Sequence, residues 1–388
     1  MRRVLIVVVA LLAALGVAGA VAIAATPAQD GPRAAPPPAG PQLSYQPAAN
    51  ATAVNPAGPV SVRVAGGTLD GVTLTGPGGE PVPGGLSPDR TTWTSSGKLD
   101  YATVYTWHGT AAGPGGSAPV QGTVGTLEPA HTVRGTLNIG DDRTVGVAAP
   151  IEIQFARHVA GRAAVERALT VTTSTRVEGA WGWLPDEGGG SRVHWRPKEY
   201  WPAGTEVRVE APLKGVAYGD GDYGAADLST SFAIGRAQVV KADAGSHRMV
   251  VERDGREIAN YPASYGLADD PERNTRSGIH VVTEKFTDKR MTSQQYGYDV
   301  VEKWAVRMSN NGEFIHANPA SASAQGSANV THGCVNLSEA DAKAYYDTVL
   351  YGDPVEVTGT PVQLSPSDGD LWDWTVPWDE WQRLSALP

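Results

Sequence analysis

The sequence predicts a mainly β protein: two β-sandwich modules, then a mostly-β domain with one helix, then a tryptophan-rich tail. Three observations carry this. From residue 60 to about 236, short alternating or β-branched runs such as "VSVRVAG", "YATVYTWHG", "PIEIQFA" and "TEVRVEAPL" are separated by Gly, Pro and Asp clusters. That stretch suits two sandwiches of about 80–100 residues each, with a break between residues 132 and 140. From residue 238 the pattern changes to hairpins, and the one convincing helix of that region follows Cys334. No cysteine pair supports an antibody-type domain, so the modules are Ig-like in architecture only.

The N-terminus comes first in order. Met1-Arg2-Arg3 is basic, and residues 4–25 are an uncharged apolar run. The run exceeds a signal-peptide core of about 7–15 residues and approaches the roughly 20 that span a bilayer. Ala22-Ile23-Ala24 also offers a cleavage site, so residues 1–25 read as a signal peptide or a membrane anchor. Either way the rest is exported to the cell envelope, and retention as an anchor is the expectation. Residues 26–58 are rich in Pro and Ala and read as an extended linker, because such a composition buries little apolar surface. The net charge of -10 argues against nucleic acid or an anionic membrane surface as the main partner.

The modules are assigned to residues 59–135 and 136–236, the third domain to 237–360 and the tail to 361–388. No cluster of titratable residues in the modules forms a site, so they read as spacers. In the third domain, Asp254-Gly255 and Asn311-Gly312 mark hairpin turns. The second hairpin ends in a strand with Phe314 and His316 on one face. Ser338 and Asp341 form a capping pattern, with Ala340, Ala344 and Tyr345 as the apolar stripe and Gly352 as the stop. Trp372, Trp374, Trp378 and Trp381 in the tail are expected to pack back on their own domain.

Cys334 is the only cysteine, and in an exported chain it has no internal partner. Its neighbours Thr331, His332, Gly333 and Asn336 are polar or tiny, unlike a core. A thiol nucleophile needs a base, a group orienting that base and oxyanion donors. His316 and His332 are the candidate bases. His332 and Cys334 share a face in an extended segment, and the amides of Gly333 and Cys334 stand where an oxyanion would form. Two rival readings are an inert packing thiol and a zinc site of His316, His332 and Cys334. The zinc reading lacks a second cysteine and leaves His280 or a carboxylate as fourth ligand. The residues alone favour an exported Cys–His acyl-transfer enzyme.

The stretch "IHANPASASAQGSANVTHGCVN" resembles the L,D-transpeptidase (YkuD-type) catalytic motif, in which a histidine precedes an [ST]-H-G-C segment at the spacing of His316 and Thr331 here. The likeness covers about residues 238–388, and with the upstream modules the chain resembles multi-domain actinobacterial members with two Ig-like domains. The resemblance implies that Cys334 is the nucleophile and His316 the general base, oriented by the backbone carbonyl of Ala317. It implies oxyanion amides at Gly333 and Cys334, with His332 lining the site. Tyr298 falls at a lid tyrosine, and Asn311, Gly312, Thr331 and Asn336 fall where the donor stem peptide is held. It further implies peptidoglycan stem peptides as donor and acceptor, carbapenem β-lactams as covalent inhibitors, and no cofactor or metal. Some relatives have a bulky aromatic a few residues after the base, where this chain has Ala320. "YGDGDYG" at 218–224 resembles a calcium-holding loop, but Ala217 replaces a carboxylate. The expected reaction is formation of 3→3 cross-links through a cysteine thioester, with release of D-alanine. The rivals are a Cys–His cell-wall peptidase or carboxypeptidase, in which water resolves the thioester, and a non-enzymatic wall-binding module. Papain-like hydrolases place cysteine before histidine, the reverse of the order here.

Overall fold

The computed structural model describes residues 39–368 and 371–388. The apolar run at 1–25 and the start of the Pro/Ala-rich stretch lie outside the described residues. The first sandwich pairs Gln42–Gln46, Ser61–Ala65, Thr92–Ser95 and Gly84–Leu86 in one sheet. The facing sheet runs Ala51–Val54, Thr123–Thr126, Val104–Gly113, Thr68–Thr75. Between them lie Val62, Leu69, Leu74, Trp93, Trp107 and Val124. Trp93 meets Trp107 edge-on, with centroids 5.2 Å apart, the geometry that aromatic quadrupoles favour.

The expected linker at 26–58 is therefore too long. Residues 42–46 pair with 61–65, and 51–54 pair with 124–126. Backbone hydrogen bonds need no particular side chains, and Leu43, Tyr45 and Val54 supply enough apolar surface to pack on the core. The break after the first sandwich also moves. His131–Val133 pairs in parallel with Asp222–Gly224, so it belongs with the second sandwich and not with 59–135.

The second sandwich packs Gly135–Leu137, Ile151–Phe155, Gly190–Pro197 and Gly179–Glu187 over Thr144–Val145, Leu228–Ile234, Glu206–Ala211 and Thr170–Thr173. In the 218–224 loop, the Asp222 carboxylate is 2.9 Å from His131 and 3.0 Å from Arg157. Its charge is met by protein groups.

In the third domain Asp254 and Gly255 both take positive φ, as a tight two-residue hairpin requires. They join Arg248–Arg253 to Arg256–Pro262. These strands sit beside Gln238–Asp243, Pro354–Thr358 and Gly278–Val281 in a five-stranded sheet. A second sheet orders Glu284–Ser293, Tyr298–Arg307, Phe314–Ala317 and Val335–Leu337. Val240, Met249, Ile315, Val335, Ala342 and Tyr345 fill the core of this domain. The helix spans Glu339–Thr348, and Ser338 caps it by accepting the Asp341 amide at 3.1 Å. It stops at Thr348, before Gly352, because Val349 is already extended.

The tail departs from expectation in its choice of partner. Trp381 is fully buried against Leu184 of the second sandwich, and its Nε1 donates to the Ala180 carbonyl at 3.0 Å. Trp374 Nε1 donates to the Ala148 carbonyl at 2.9 Å. The Arg196 guanidinium lies 4.8 Å from the Trp374 and Trp381 ring centroids, and flat delocalised cations favour such faces. The second module is thus more than a spacer, since it holds the tail of the domain that follows. His194 and Asp373, both fully buried, meet at 2.9 Å across this junction. Burial opposes protonation of His194, but the Asp373 charge outweighs it and holds the pKa above the ordinary histidine value. Removing one partner strands a buried charge. Asp373→Ala is expected to cost about 3–5 kcal/mol; a thermal unfolding curve unchanged from wild type would contradict this.

Candidate active site

The site follows from strand register. Phe314–Ala317 and Val335–Leu337 pair in parallel, with His316 opposite Asn336. Alternate residues share a face, so Cys334 lies on the side of Asn336 and beside His316. Both side chains line the same cavity. His316 Nδ1 lies 2.9 Å from the Ala317 carbonyl oxygen. This fixes the ring and leaves Nε2 as the edge for the thiol. The group that holds the ring is a backbone carbonyl.

His316 is buried, which by itself disfavours the imidazolium. The interactions with Cys334 and Glu302 and the Ala317 carbonyl outweigh burial and push its pKa up to about 10. At neutral pH His316 is therefore suited to exist as imidazolium, the partner that favours a thiolate nucleophile. Cys334 is half-buried, and its Sγ is 3.7 Å from the Gly312 carbonyl.

The segment before the thiol is a tight turn. Gly333 has φ of 111°, a region that strains any L side chain. Thr331 Oγ1 donates to the Cys334 carbonyl at 2.6 Å and accepts the Gly333 amide at 3.2 Å. The Gly333 carbonyl accepts from Thr275 Oγ1 at 2.8 Å. One expectation is corrected here. The Gly333 amide is engaged inside the turn and does not face the cavity as an oxyanion donor, because Thr331 claims it.

A cavity of about 320 Å³ opens over Cys334, and Tyr298, His316, Thr331, His332 and Asn336 line it. Ala320 also lines it and leaves that wall open. Asn311 and Gly312 lie outside that lining, where the Ser309 hydroxyl bonds the Asn311 side chain and the Asp368 carbonyl accepts the Asn311 backbone amide. The Asn336 side-chain oxygen Oδ1 is buried without a protein partner. His280, the spare zinc candidate, is fully buried and bonds the Arg276 carbonyl at 2.8 Å instead. Among the described residues no group of three or more His, Cys, Asp or Glu is placed to hold a metal.

His332 packs at a tilt against Tyr296 and Tyr298, with centroids 4.3 and 5.6 Å away. Burial and the nearby Arg273 charge push its pKa down, with Asp270 opposing. The ring, its protonated form disfavoured, forms part of the cavity wall. His332→Ala is expected to slow acylation by well under the ~10²-fold that marks loss of a general base; a stopped-flow acylation rate decides it. Sequence reasoning missed Tyr296 and Glu302. Strand alternation from Tyr298 was the available signal for Glu302, since 298, 300 and 302 share a face.

The chain is similar to several known proteins. Residues 51–217 match a family described as a bacterial Ig domain, and residues 237–357 match the L,D-transpeptidase catalytic domain. L,D-transpeptidase 5 of Mycobacterium tuberculosis is 54% identical over 354 residues, covering 91% of this chain and 78% of that protein. L,D-transpeptidase 2 of the same species is 37% identical, covering 89% and 85%. A solved structure of the LD transpeptidase LdtMt1 in complex with imipenem is 32% identical over 59% of this chain and 99% of that one, with a TM-score of 0.49. With a paired thiol and imidazole on a domain of this kind, and relatives this similar along most of its length, the chain belongs to the L,D-transpeptidase family and is an enzyme of that class.

Proposed function

We propose that this enzyme forms 3→3 cross-links between peptidoglycan stem peptides. The observation that carries the reading is the Cys334–His316 pair, held by the Ala317 carbonyl on the floor of an open cavity. Thiolate Cys334 attacks the carbonyl of the L-centre of the diamino acid in a donor tetrapeptide. The bond to D-alanine breaks, and His316 gives its proton to the departing amine. A thioester remains on Sγ. The side-chain amine of an acceptor stem attacks it, passes a proton to His316 and releases Sγ as the thiolate. The Cys334 amide supports the oxyanion, while Asn336, Thr331 and Tyr298 hold the donor from the cavity wall and Asn311 and Gly312 from beyond it. The unpartnered Asn336 oxygen supports that role, since a buried acceptor without a donor is costly.

Carbapenems acylate the same thiol, because their strained carbonyl stands in for the scissile amide. The enzyme works outside the cytoplasm, with the apolar run at 4–25 retained as an anchor. N-terminal sequencing of membrane-bound protein tests this, and a mature terminus at Ala25 would sink it. The reaction itself is tested with purified disaccharide-tetrapeptide. Mass analysis should show dimers formed with loss of D-alanine. Shortened monomers alone would mean that water, not an amine, resolves the thioester.

A further inference from the structure

The flap strand Tyr298–Arg307 presents Tyr298, Val300 and Glu302 to the cavity, as period-two alternation requires. The residues that alternate with them face solvent: Asp299 pairs with Arg290, Val301 is 62% exposed and Lys303 pairs with Glu339. Glu302 is thus an acid turned inward beside a tyrosine and a valine. Its side chain is only 14% exposed, and Oε2 lies 3.6 Å from His316 Nδ1. Withdrawing a carboxylate from water is unfavourable unless a cation meets it. The imidazolium is in place to do so.

We propose that Glu302 is a positioning residue of the acyl-transfer reaction, its carboxylate holding His316 in the protonated form at the Nδ1 edge while Cys334 occupies the other. The proposal rests on the reading of Cys334 and His316 as nucleophile and acid–base. A negative charge near Nδ1 stabilises the thiolate–imidazolium pair, because it lies beside the cation. It also outlasts the thiolate. Once Sγ has bonded the carbonyl its charge is gone, and Glu302 continues to retain the proton on His316 until the leaving amine takes it.

The groups facing His316 are few. Cys334 and His332 come from the turn, and Tyr298 and Glu302 come from the flap. Asn336 on the paired strand does not titrate. Lys289, opposite Glu302 in register, carries its ammonium over the Phe286 ring at 4.2 Å. The helix behind the sheet gives Ala342 and Tyr345 to the core and lines no part of the cavity.

The test is the pH profile of carbapenem acylation for wild type, Glu302→Gln and Glu302→Asp, with thermal melting as the check on folding. Glu302→Gln should move the alkaline limb to lower pH by about 1–3 units, the scale for an opposite charge at this range. Glu302→Asp should fall between, because the charge is kept but withdrawn. Rates lowered by one factor at every pH, or profiles that superimpose, would overturn the proposal. NMR titration of the His316 ring in unacylated protein follows the same proton without any reaction. A shift to lower pH in Glu302→Gln supports the role, and no shift refutes it. Wild type that is never acylated would count against the reading of the site, while the NMR arm would still judge Glu302.

Discussion

Cys334→Ser is expected to abolish covalent capture of a carbapenem and cross-linking of stems together. The serine hydroxyl has a far higher pKa than a thiol, and His316 is tuned to stabilise a thiolate, not to strip an alcohol. Intact mass should show one adduct per wild-type chain, on the peptide containing residues 331–336, and none on the variant. The turn should survive the change. Its bonds run through Thr331 Oγ1, the Gly333 amide and the Cys334 carbonyl, and none uses Sγ. A lost adduct in a protein that melts normally is therefore a chemical loss. Chelators should leave the wild-type adduct unchanged.

His316→Ala should slow acylation by about 10²–10⁴-fold, the usual scale for losing a general base. At about 1.4 kcal/mol per decade that is roughly 3–5 kcal/mol of barrier. The loss has two parts, since the same ring stabilises the thiolate and protonates the leaving amine. A carbapenem, whose strained ring opens more readily, should feel the second part less than a stem peptide does. Single-turnover rates with both substrates would separate them. Equal losses with the two would argue that His316 acts on the thiolate alone.

How much of this was legible in the sequence depends on how local the cause is. The helix start needed Ser338 and Asp341 only, and the tight hairpin needed Asp254 and Gly255. Both are set by neighbouring residues, and both appear where the pattern put them. The pairing of His316 with the Cys334 turn was carried by a motif, and the strand register then explains it. What sequence reading missed depends on distant partners. Residues 42–54 look like linker because their Pro and Ala content hides Leu43, Tyr45 and Val54, which bury only when the sheets form. The tail's tryptophans were expected to dock, but the surface receiving them lies some two hundred residues earlier, around Ala180 and Leu184. An acid in a flap strand reads as a solvent face, and only the fold turns Glu302 inward. The engagement of the Gly333 amide by Thr331 is a matter of turn geometry that no spacing reveals.

A thioester on one sulfur is the centre of this mechanism, and it can be seen directly. The enzyme is mixed with donor tetrapeptide whose diamino-acid side-chain amine is blocked, so that no acceptor is present, then quenched in acid and digested for mass analysis. The mechanism predicts the donor stem, less D-alanine, attached to Cys334, released by hydroxylamine and absent from Cys334→Ser. A stem attached to any other residue, or D-alanine released at the wild-type rate by Cys334→Ser, would contradict it.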